Sequence, residues 1–228
     1  MNTAPLPLFD TLAHLPEQQF IRADAPSFAA SDFTMTKEFL LQYSGSQDTF
    51  NTYRRECERL LQWAWYVENK SISQLTRANI EEYIKFCQNP PKQWIGNKNV
   101  GRFIAQQGQR QPNPEWRLFV ISAKKGASND DAKSSKIQYT FSQKALQSLF
   151  ASLNSLFKFL ICEGITEVNP IIQIRQKSQF LRKQQSKRAI RRLSSLQWEF
   201  VLETAEKMAN EDPNKYERSL FIVSALYL

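Results

Sequence analysis

The densest chemistry in the chain lies between Arg175 and Arg192. There Arg175, Lys177, Arg182, Lys183, Lys187, Arg188, Arg191 and Arg192 follow one another with no acid between them. Such a run suits a polyanion, because each phosphate neutralised releases condensed counterions. The 228 residues hold 30 Lys and Arg against 22 Asp and Glu, a net charge of +8. The run therefore carries the whole of it. The rest of the chain is neutral, with 22 basic and 22 acidic residues. A solvated linker and an anionic membrane surface are the alternatives. The second is disfavoured by the few large apolar residues available for insertion. A weaker basic excess runs from Lys92 to Lys136, where nine cations face Glu115, Asp130 and Asp131.

Little else in the sequence does chemistry. There is no Gly-rich phosphate loop, no His-Glu zinc motif and no Gly-x-Ser-x-Gly elbow. The single histidine, His14, and the scattered Cys57, Cys87 and Cys162 exclude a zinc finger and a His-dependent triad. Three separated cysteines also fit free thiols in a reducing compartment, so the expected location is cytoplasmic. Asp130-Asp131 sits in a polar loop, without the rigid placement that paired catalytic carboxylates need. Tyr227 reads as a core aromatic rather than a nucleophile. No catalytic residue, metal or cofactor is expected, and what remains is binding. No apolar run approaches the ~18–20 residues that span a bilayer, and the N-terminus shows no signal-peptide pattern.

The elements that must position these cations are helical. Residues 1–30 read as an arm broken by Pro5, Pro7, Pro16 and Pro26. Ser31 is expected to cap a short helix that buries Phe33, Phe39, Leu40 and Tyr43 and ends near Gly45. A second helix, about 48–68, carries Phe50, Tyr53, Cys57, Leu60, Leu61, Ala64 and Trp65 as one apolar stripe. Arg54, Arg55, Glu58, Arg59 and Gln62 lie off that stripe. A third, about 73–89, is capped by Thr76 and buries Ile80, Tyr83, Ile84 and Cys87. Asn89-Pro90-Pro91 stops it. Residues 92–141 lose the helical period, and the runs 102–105 and 116–121 are expected to pair as an irregular hairpin. A fourth helix starts at Ser142, buries Leu146, Leu149, Phe150, Leu153, Leu156, Phe157 and Leu160, and ends at Glu163-Gly164. After the basic run, Ser194 and Gln197 form a capping box ahead of Trp198, Val201, Leu202 and Ala205. A last helix, 216–228, is nearly all apolar at its end, which reads as a chain cut short.

In order and spacing these pieces resemble the tyrosine recombinase (phage integrase) family. Thr49-Phe50-Asn51-Thr52-Tyr53-Arg54-Arg55-Glu56 with Trp63 resembles the first helix of its core-binding domain. Leu75-Thr76-Arg77-Ala78-Asn79-Ile80 resembles the second, and residues 142–164 with Asn169-Pro170 the closing helix. Arg192-Leu193-Ser194 is similar to the opening of the catalytic domain. Asn89-Pro90-Pro91, Trp94 and Trp116-Arg117-Leu118-Phe119 resemble a subgroup with an insertion, although Leu118 stands where that motif usually has proline.

The resemblance implies a mainly α chain. A four-helix SAM-like core-binding domain would span 31–174, with an irregular or hairpin insertion at 90–141. A basic interdomain linker would follow at 175–192, then two helices of an incomplete catalytic domain at 193–228. The family's arginines and tyrosine nucleophile cannot be carried over to any residue here. The implied partners are double-stranded DNA and other recombinase protomers, with no membrane. Helices laid across a major groove offer phosphate their free N–H groups. The implied contacts are Thr49, Asn51, Thr52, Arg55, Ser142, Lys144 and Gln147, with Arg182, Lys183, Lys187, Arg188, Arg191 and Arg192 from the linker. Lys92, Lys98, Arg102 and Arg110 of the insertion rank below them. A stand-alone helical DNA-binding or regulatory protein, and a protein-interaction module docking through the last helix, are the competing readings.

Overall fold

The computed structural model describes residues 4–19, 22–106, 109–121, 139–174 and 193–227. The chain divides into two compact units, Met1–Arg182 and Lys183–Leu228. It is mainly helical, as expected. The first unit contains α1 (Ala29–Leu41), α2 (Gln47–Trp63), α3 (Arg77–Gln88) and α4 (Gln143–Cys162). The segment between α3 and α4, expected as an insertion, carries β1 (Ile95–Gly96), β2 (Phe103–Gln106), β3 (Gln109–Pro112) and β4 (Phe119–Val120). The second unit is a pair of helices, α5 (Ser195–Glu211) and α6 (Pro213–Tyr227).

Capping chemistry sets the helix starts. Ser46 accepts Thr49 N–H to begin α2, and Thr76 forms a capping box with Asn79 at α3. Ser142 accepts Ala145 N–H at 3.1 Å to begin α4. The α2 helix does not stop at Trp63. It widens into one π-helical segment, Ala64–Glu68, closed by Asn69 at φ 54°. Asn is among the few residues with a side chain that adopt this left-handed conformation readily. α4 ends at Gly164 with φ 69°, where a side chain would be strained. Ser31 is not a cap. α1 begins two residues earlier behind Phe28, and Ser31 lies within its first turn.

The core forms where α1, α2 and α4 meet. Phe39 of α1 contacts Tyr53 of α2 and Phe159 of α4, each with ring centroids 5.6 Å apart. Trp63 reaches Tyr83 of α3 at 5.3 Å. The apolar stripes expected on α2, α3 and α4 are the faces that are buried, apart from the half-buried Tyr53. Asp32 is buried in the same body. It accepts hydrogen bonds from Trp65 Nε1 at 2.9 Å, Ser71 Oγ at 2.6 Å and Ile72 N at 3.1 Å, which ties α1 to the segment after α2.

Two expectations are corrected. The N-terminal segment is not a free arm: Leu8, Phe9 and Leu15 belong to the core, and Phe9 stacks on Phe33 at 4.9 Å. Its prolines forbid a helix but do not forbid burial. Side chains then satisfy the backbone that a helix would have satisfied. Gln18 Nε2 donates to Leu8 O at 2.6 Å, and Gln62 Nε2 donates to Leu6 O at 2.8 Å. The insertion is also wired differently. Phe103–Gln106 does form a hairpin, but its partner is Gln109–Pro112. Phe119–Val120 instead runs parallel to Ile95–Gly96. The nearest segment in sequence wins the antiparallel pairing because closing a short loop costs least entropy. Phe119 is then free to pack on Phe86 and Tyr139.

By length and composition, α4 is the one helix among the described residues able to cross a membrane. Its apolar face is occupied here by the core.

In the second unit Ser194 and Gln197 complete the expected capping box, and α6 starts at Pro213, a favoured first helical residue. The two helices pack on each other, with Ala209 buried. They leave Leu196, Phe200, Phe221 and Leu226 at least 70% exposed.

Candidate nucleic-acid interface

The α2 and α4 helices run antiparallel. Tyr53 OH lies 3.4 Å from Ser155 Oγ, while Arg59 sits over the ring of Phe141, 5.8 Å from its centroid. The start of α2 is therefore beside the end of α4. The expected contacts Thr49, Asn51 and Thr52 lie at one end of the pair, and Ser142, Lys144 and Gln147 at the other. At 1.5 Å per residue the two groups are roughly 15–20 Å apart along the pair. They do not form one cluster. Several also have local work. Thr49 Oγ1 is 2.9 Å from the capping Ser46 hydroxyl, and Asn51 Oδ1 accepts from Arg54 Nη2 at 2.9 Å. Lys144 and Gln147 are exposed beside the α4 start. Arg182, Lys183, Lys187, Arg188, Arg191 and Arg192 lie outside the described residues, as does the Asp130-Asp131 pair.

The polar residues off the α2 stripe are not a solvated face. Arg54, Glu56, Glu58 and Gln62 are buried. The N-terminal segment and the insertion cover them. Arg54 Nη1 donates to Asp10 O at 2.6 Å, and Leu8 N–H donates to Glu58. Arg102 of the insertion pairs with Glu58 and gives Nε to Phe9 O at 3.2 Å. Arg110 pairs with Asp10, with Nη2 to Oδ1 at 2.7 Å. Burial lowers the Arg54 guanidinium to about 10, with Asp10 partly offsetting it. It stays charged at neutral pH.

Arg55 is the expected contact that meets other cations. It lines a cleft of about 560 Å³ between α2 and the insertion, together with Arg59, Lys98, Arg102, Trp116 and Arg117. Two buried carboxylates organise this cleft from beneath. Glu56 accepts Arg55 Nε at 2.8 Å and Arg59 Nη1 at 3.2 Å. Arg59 also donates Nε to Leu118 O at 3.4 Å and lies over Phe119 at 4.9 Å. Burial is the largest single influence and would lower its pKa, but Glu56 together with Cys87, Tyr83 and Tyr139 holds it above the usual value. Glu58 fixes Arg102, which lies 4.7 Å over Trp116.

By sequence Lys98 and Arg102 rank low, and Arg59 and Arg117 are not among the expected contacts. The signal for Arg59 was present: like charges at Arg55 and Arg59, one turn apart, repel unless a carboxylate such as Glu56 lies between them. Arg117 had no local signal, since the parallel pairing of β4 with β1 brings it to the cleft. Among the described residues no group of three His, Cys, Asp or Glu side chains can hold a metal ion.

No protein-family model, curated protein or solved structure matches this chain.

Proposed function

We propose that this chain is the DNA-binding portion of a site-specific tyrosine recombinase or integrase. Its first helical unit acts as a SAM-like core-binding domain and its second as the opening helices of a catalytic domain, and the chain clamps duplex DNA. One observation carries this reading. The division between the two helical units, at Arg182 and Lys183, falls inside the 18-residue run that carries the chain's entire net charge. A junction with eight cations and no acid suits a tether laid along phosphates. The sequence resemblance supplies the family, and the helical body with a basic cleft agrees with it. No residue of this chain is assigned to phosphoryl transfer, and protomer contacts on DNA belong to the same proposal.

The test is duplex affinity measured across a salt titration. Binding should weaken steeply with salt, and a variant with Gln at positions 182, 183, 187 and 188 should lose affinity for all duplexes about equally, with a flatter slope. A suicide substrate should yield no covalent product. An unchanged slope in that variant overturns the clamp, and a covalent adduct on any tyrosine overturns the assignment of roles.

A further inference from the structure

The cleft between α2 and the insertion holds more cationic charge than its packing uses. Arg59 and Arg102 are consumed by Glu56, Glu58 and backbone carbonyls. Arg55 and Arg117 are not. Arg55 gives only Nε, to Glu56, and is 46% exposed. Arg117 gives only Nη1, to the carbonyls of Pro114 and Trp116, both at 2.7 Å. Their remaining guanidinium nitrogens have no partner among the described residues. Lys98 stands at the rim, paired at 3.3 Å with Glu115, both largely exposed. Exposed pairs of this kind open at little cost. Five cations face the three carboxylates Glu56, Glu58 and Glu115, which leaves about two positive charges to be matched by an anion.

We propose that this cleft is a phosphate site that takes one backbone phosphate of a DNA duplex on Arg55 and Arg117, with Lys98 closing over it. The proposal rests on the DNA-binding reading for the source of the phosphate. Guanidinium forks suit phosphate oxygens in a bidentate manner. A base is disfavoured as the occupant, because Arg102 already covers a face of Trp116, the one aromatic residue lining the cleft. The site is also preset. Glu56 fixes Arg55 from below, and Gly96 lets Arg117 approach, since a Cβ there would meet Arg117 Cβ at 3.1 Å. Such a contact pins the protein's register on the duplex without reading sequence.

The experiment uses the full chain and a labelled duplex. The double variant R55Q/R117Q should bind about ten-fold more weakly at 0.1 M salt, with the salt slope smaller by about one, the value for one phosphate. Its thermal midpoint should fall by no more than a few degrees, because Arg59 still pairs with Glu56. E115Q, which frees Lys98, should tighten binding about two-fold, a gain that a packing role does not give. Inorganic pyrophosphate is the second probe. It should compete with duplex for the parent and lose that effect with R55Q/R117Q. If the parent binds duplex and the double variant matches it in affinity and slope, the cleft site is overturned and the DNA reading stands. If the parent fails to bind duplex yet pyrophosphate raises the melting temperature of the parent alone, the DNA source is overturned and the phosphate chemistry stands. If neither probe binds, both are overturned.

Discussion

Asp10 and Arg110 lock the N-terminal segment to the β2–β3 hairpin through a two-pronged ion pair, with Arg110 Nη2 2.7 Å from Asp10 Oδ1. Residues one hundred apart in sequence are thereby held on the same flank of α2. The pair has a pH signature. Burial alone would raise the Asp10 carboxyl, but Arg110 and Thr11 N–H together pull it below its ordinary value of 3.8. A lowered native value gives stability that is present above pH 3.8 and lost as pH falls through the native value. Asp10→Asn should cost about 1 kcal/mol at neutral pH. The gap between variant and parent in urea unfolding should narrow as pH falls below 3.8 and through the lowered native value.

Asp32 should behave oppositely. Burial raises its carboxyl, against the hydrogen bonds from Ser71, Trp65 and Ile72. A raised native value gives stability complete below 3.8 and lost as pH rises through the native value. Asp32→Asn removes this titration and leaves donors facing an amide. It should cost about 2–3 kcal/mol, with the deficit largest at acid pH in the same urea series.

Phe9→Ala tests whether the N-terminal segment is core. Phe9 is fully buried and stacked on Phe33. Its truncation should cost about 3–5 kcal/mol, the range for a core phenylalanine. A free arm would give less than ~0.5 kcal/mol, so chemical denaturation separates the two.

Thiol labelling should count the cysteines by burial. Cys57 and Cys87 are buried and burial pushes both thiols up, Cys87 to about 12, while Cys162 is exposed. A thiolate reagent should modify Cys162 alone in the native chain and all three in denaturant. Rapid native labelling of Cys57 or Cys87 would contradict their place in the core.

The two units should be separable. A chain ending at residue 192 should keep a cooperative helical melt, since its core lies within α1–α4 and the segments on them. It should also bind less of a hydrophobic dye, because Leu196, Phe200, Phe221 and Leu226 go with the second unit. Unfolding of the shortened chain would place residues 193–228 in the first unit's core.

By itself the sequence determined the helices whose signals are local. Thr76, Ser142 and Ser194 cap where their side chains predict, and the apolar periods of α3 and α4 are the buried faces. It also determined where the net charge lies, since charge needs no fold to be counted. Tertiary structure decided the rest. The stripe on α2 marks one buried face, but Arg54, Glu56, Glu58 and Gln62 are buried on another, beneath segments that have no period to read. A proline-broken stretch of chain can satisfy its backbone through Arg54 and Gln62 only once it reaches α2. Likewise Arg117 joins Arg55 in one cleft because β4 pairs in parallel with β1, a long-range pairing that no local pattern encodes.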